Sequence, residues 1–226
     1  MKTRIKIDSA LLSFAIILTG LLYQFPQVYS SSRALDNIWD FTGMIFILKG
    51  TMIRMVARGH KKSNSKDGKE LVMSGIYRLT RNPMYLGSFY MGTGFVLIVW
   101  PWWSVFFFAA LFYMRFRRQV LIEEAFLKQE FGRQYEEYCS KVARVFPHLR
   151  QLGQIKLGEI VNFEEAFSTK EKYGLLGWPV LAIFLETLQE NVVFHSTSIE
   201  WTVTIFAVAA LLYAGILFIR VERSKA

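Results

Sequence analysis

The sequence predicts an all-α protein: a polytopic membrane bundle of about six helices with its polar, motif-bearing side at the cytoplasmic face. Three observations carry this. Apolar residues make up 53% of the 226-residue chain and gather in long runs. Aromatic residues reach 16%, a high load for a soluble domain. The net charge is +9, and the basic residues flank the apolar runs instead of forming a patch of their own. That distribution fits cytoplasmic loops of a membrane protein and argues against a nucleic-acid partner.

The elements follow in order. Ala10–Val28, preceded by Lys2, Arg4 and Lys6, is long enough for a first span, and no clean cleavage site marks it as a signal peptide. Ile38–Val56 is a weaker second span carrying Asp40 and Lys49. Lys61–Lys69, "KKSNSKDGK", reads as a polar, flexible loop. Met84–Val99 and Trp103–Val120 read as a helical hairpin with "WPWW" at its tip, where tryptophan suits the headgroup region. Residues 151–172 read as a connector, and Tyr173–Phe194 with Ile199–Ile219 as a C-terminal helix pair. The motif-bearing core is then 1–150. Eight basic residues run from Arg54, at the end of span two, to Arg81 before span three, and eleven from Arg115 to Lys172. An even number of passes with both termini cytoplasmic explains this asymmetry, with four passes as the alternative. A bacterial inner membrane is the expected setting. Cys139 is the lone cysteine, so no internal disulfide forms. The three histidines are dispersed, and no metal is expected.

Two stretches stand out as motifs. The first is "LVMSGIYRLTRNPMYLG", Leu71–Gly87. Pro83 biases Asn82 away from helix and suits the first turn of the following span. The plain reading is a turn with Asn82 as N-cap and interfacial tyrosines. The second is "IEEAFLKQEFGRQYEEYCSKVARVFP", Ile122–Pro147, which alone reads as an amphipathic surface helix interrupted at Gly132. Together they place an acidic pair, Glu123 and Glu124, opposite arginine-flanked tyrosines, and such a site suits a zwitterionic ligand.

In these two ordered motifs, about a third of the chain, the sequence resembles the isoprenylcysteine carboxyl methyltransferases and the related phospholipid methyltransferases. The resemblance implies an integral membrane enzyme that uses S-adenosyl-L-methionine without a Rossmann fold, on a lipophilic substrate drawn from the bilayer. The only G-x-G, Gly92–Gly94, lies inside a predicted span with no strand before it. The resemblance further implies cofactor contacts from Glu70, Leu71, Val72, Tyr77, Asn82, Pro83, Met84, Tyr85 and Glu123. It places Arg81, Asn82, Glu123 and Glu124 at the catalytic centre. Arg117, Arg118, Gln119, Tyr135, Tyr138 and Arg144 are the implied substrate contacts.

Two departures from that pattern matter. Asn82 stands where the family usually has histidine, and asparagine takes no proton near neutral pH. Gln119 stands where the prenylcysteine enzymes carry a substrate-handling arginine. A carboxylate acceptor needs no base, whereas an amine or hydroxyl must lose a proton; the first departure fits a carboxylate and the second argues against it. The alternatives are a lipid-amine N-methyltransferase and an NADPH-dependent enzyme of the sterol reductase type.

Overall fold

The computed structural model describes residues 2–29, 32–65, 70–148, 157–195 and 199–225. Every regular element among the described residues is a helix, with no strand among them. The long helices are α1 (Lys2–Leu22), α2 (Arg33–Asn64), α3 (Pro83–Val99) and α4 (Ser104–Lys141). Two short helices follow, α5 (Leu157–Ile160) and α6 (Phe163–Phe167), and then α7 (Gly174–Val193) and α8 (Ile199–Lys225).

Several boundaries differ from the sequence expectation. α1 ends at Leu22, because Pro26 breaks the run and Pro26–Val28 forms a 3-10 turn. α2 continues through Asn64, so the first four residues of the expected loop are its last turn, with Lys61 and Lys62 placed favourably near the helix C-terminus. Residues 66–69 of that loop lie outside the described residues. The fourth span and the motif helix are one helix, α4, with a kink at Gly132 (φ 49°, ψ −124°). Those angles suit glycine alone, so the interruption expected there is a backbone bend. Gly132→Ala should cost on the order of 1–3 kcal/mol in a denaturant melt. Space does not cause that penalty, since an added Cβ meets nothing within 4 Å.

α2 is the centre of the bundle, packed against α3, α7 and α8. Its contact with α3 runs along a glycine seam that pairs Gly43 with Gly94 and Gly50 with Gly87. An added Cβ on each would meet its partner's carbonyl oxygen at 2.5–2.7 Å. These pairs, one heptad apart on antiparallel helices, let the two backbones touch. Gly92 lies beneath the Phe108 ring, so the G-x-G serves helix packing on both sides of α3. The later part of the connector docks on α2. Glu171 takes a bidentate pair from Arg54 (3.0 and 3.1 Å) and a further contact from Arg58 (3.2 Å). His60 bridges Glu165 on α6 (2.9 Å) and Ser74 (2.8 Å). Residues 151–156 of the connector lie outside the described residues.

No helix among the described residues is long and apolar enough to cross a membrane. α3 has 17 residues, roughly 26 Å, short of a core of about 30 Å. α4 carries Arg115, Arg117 and Arg118 beyond its apolar half, and α7 carries Glu186 and Glu190.

Candidate active site

The two motif halves meet where α3 begins. The first half descends through a 3-10 turn, Gly75–Arg78, and buries Tyr77. The Tyr77 hydroxyl donates to the Ala57 carbonyl (3.4 Å), and the Tyr77 carbonyl accepts from the Tyr138 hydroxyl (2.6 Å). Thr80, fully buried, forms an isolated parallel bridge with Ala143, and the Arg81 amide donates to the Ala143 carbonyl (2.9 Å). Asn82 caps nothing with its side chain. Its Nδ2 donates instead to the Arg144 carbonyl (2.9 Å), which also accepts from Thr80 Oγ1 (3.3 Å). In this arrangement the asparagine ties the two halves together.

The acidic pair divides its work. Glu123 Oε1 accepts from the Tyr85 hydroxyl (2.8 Å) and from Gln119 Nε2 (2.8 Å). Glu124, buried, lies between two guanidinium groups: Arg81 Nη2 at 3.4 Å and Arg144 Nε at 3.0 Å. Arg81 Nε is buried with no hydrogen-bond partner. Beside Tyr85 opens a cavity of about 470 Å³. Phe89, Phe112, Phe116, Val120 and Phe146 make its apolar wall, and Arg117 and Arg144 also line it. A second cavity of about 390 Å³ is lined by Tyr77, Met84, Ser65, Arg58, Lys61 and Lys62.

The remaining candidates fall in different places. Pro83 is fully buried at the start of α3, and Val72 packs into the core around Met55 and Tyr77, so its side chain faces protein. Glu70 is exposed, with its backbone bonded to Ser65 Oγ, and Leu71 is half-buried. Arg118 is exposed outside the cavity lining. Tyr135 and Tyr138, expected at the substrate, are buried and absent from both cavity walls. Tyr138 is occupied in holding Tyr77. Sequence reading missed Thr80, which carries no motif signal. It also missed the aromatic wall, although Phe112 and Phe116 recur at helical spacing and were open to notice.

Burial pushes the Tyr77 phenol up to about 12, with Arg58 opposing, and burial also raises Tyr135 and Tyr138. A raised folded-state value means that the neutral hydroxyl stabilises the fold below about pH 10. That contribution is lost as pH climbs through about 12. Melting temperatures compared at about pH 9 and pH 11 should therefore fall more steeply for the wild type than for Tyr77→Phe.

The family model described as phospholipid methyltransferase matches residues 12–134. A rice protein (Oryza sativa subsp. indica), a probable protein-S-isoprenylcysteine O-methyltransferase, is 30% identical over 150 residues. The match covers 61% of this chain and 74% of the rice protein. Protein-S-isoprenylcysteine O-methyltransferase A of Arabidopsis thaliana is 34% identical over 113 residues, 46% of this chain and 57% of its own length. The mouse Delta(14)-sterol reductase is 32% identical over 88 residues, only 36% of this chain and 20% of the reductase. No solved structure matches this chain. With more than half its length inside the family match and both motif halves brought into contact, the chain belongs to the phospholipid methyltransferase family and is a methyltransferase.

Proposed function

We propose that the protein methylates the carboxylate of a lipophilic, isoprenylcysteine-like acceptor at a membrane's cytoplasmic face, with S-adenosylmethionine as donor. The observation that carries this is the Tyr85–Glu123 contact beside an apolar cavity. When bound, S-adenosylmethionine supplies a methyl that passes in line to a carboxylate oxygen, the carbon–sulfur electron pair staying on sulfur. Glu123, held by two donors, presents a fixed charge to an ammonium or sulfonium. The unpartnered Arg81 Nε is a donor for the cofactor's carboxylate. Arg117 and Arg144, which line the same cavity as the aromatic wall, match an anionic head on an apolar tail. They stand in for the arginine that Gln119 replaces. No base is required of Asn82, because a carboxylate loses no proton.

The membrane setting is part of the same reading: about six passes with both termini cytoplasmic, a core of 1–150, a connector of 151–172 and a helix pair of 173–226. It draws support from large apolar side chains left facing outward, among them Ile16 and Leu12 on α1, Phe106 on α4, Leu176 on α7 and Leu211 on α8. Calorimetry on detergent-purified protein should register binding of S-adenosylhomocysteine and none of NADPH. Methyl transfer should follow to a prenylated cysteine but not to a lipid amine. Binding of NADPH alone, or methylation of the amine alone, would overturn the reading.

A further inference from the structure

We propose that Asp36, Asp40 and Glu186 form a site for a hard divalent cation that pins α7 to α2. The three residues offer carboxylate oxygens that all lie within 4.8 Å of one another. Calcium bonds oxygen at about 2.3–2.6 Å, so the three oxygens need close by only a few tenths of an ångström at most to meet one ion of that size, and a smaller ion would draw them closer. All-oxygen donors select calcium, magnesium or manganese over the softer metals. Asp40 and Glu186 are 4% and 1% exposed, and one hydrogen bond joins them. The other oxygen of Glu186, Oε2, is buried and has no hydrogen-bond partner. A buried acid with an unsatisfied oxygen among other acids is costly unless it keeps a proton or a cation replaces that proton. Arg33 faces Asp36 from the preceding turn, while Glu190, Tyr23 and Tyr29 add no positive charge around the group. Gln189 Oε1, also buried and unpartnered, lies one turn along α7.

This site is separate from methyl transfer. Asp40 lies roughly 25 Å along α2 from Ala57, the Tyr77 anchor, at about 1.5 Å per residue. The residues sit in different parts of the chain: Asp36 and Asp40 within the family match, Glu186 in the helix pair beyond it. A cation there would join the two parts by a bond set that apolar packing does not supply. The dispersed histidines gave no sign of it, because the acids come together only on folding.

The test is thermal unfolding of the full-length, chelator-treated protein in detergent, with calcium, magnesium or manganese chloride added. At about a hundred times the dissociation constant, one of these ions should raise the melting temperature by roughly 5–10 °C. Glu186→Gln should abolish that rise and leave S-adenosylhomocysteine binding unchanged. If Glu186→Gln does not fold, Asp36→Asn, at a half-buried position, decides in its place. No rise with any of the three ions would overturn the proposal, as would a rise that persists in the variants.

Discussion

Exchanging Glu123 for glutamine should weaken S-adenosylhomocysteine binding roughly 10- to 100-fold while leaving the melting temperature nearly unchanged. The side chain keeps its shape, and an oxygen remains to accept from Tyr85 and Gln119. The charge is what disappears. A hydrogen bond to a charged group contributes about 1.5–3 kcal/mol, the source of the expected factor. Tyr85→Phe leaves the charge and removes one donor that orients it, so a smaller loss of only a few-fold is expected. Calorimetric titration of the two variants beside wild type makes the comparison. Equal affinity in Glu123→Gln and wild type would mean that this carboxylate only ties α3 to α4.

Replacing Glu124 with alanine should lower stability by about 3 kcal/mol, or roughly 6–12 °C in melting temperature. Here the effect is on the fold first. Glu124 and Arg81 are each only 11% exposed at the side chain, so the alanine strands a buried guanidinium. Arg144, 54% exposed at the side chain, can turn to solvent, and Arg144→Ala should cost much less. Cofactor binding should also fall in Glu124→Ala, because the Ala143–Arg144 strap that Thr80, Arg81 and Asn82 hold is anchored by this carboxylate. An unchanged melting temperature in Glu124→Ala would show that the pair between the guanidiniums adds no stability.

Much of the site was legible in the residues. The two motifs, their order and the acidic pair could be read without coordinates, since each depends on local spacing along one chain. Tyr85 and Glu123 were placed in one site from sequence, and they share a 2.8 Å hydrogen bond. Other roles were not legible. Asn82 reads locally as a helix cap, but its amide partner, Arg144, lies 62 residues away. Tyr138 reads as part of an amphipathic surface helix and, by resemblance, as a substrate contact, yet its hydroxyl is buried against Tyr77. Partners at such separation leave no periodic trace in the sequence.

By itself, the sequence determined the helical class, the basic and apolar layout and the family. Each of these follows from hydrophobic period, charge position and motif, which are properties of neighbours in the chain. Tertiary structure alone decided the glycine seam between α2 and α3, the docking of the connector through Glu165 and Glu171, and the meeting of Asp36 and Asp40 with Glu186. These depend on which faces of distant helices approach and how closely. Only packing in three dimensions fixes that distance.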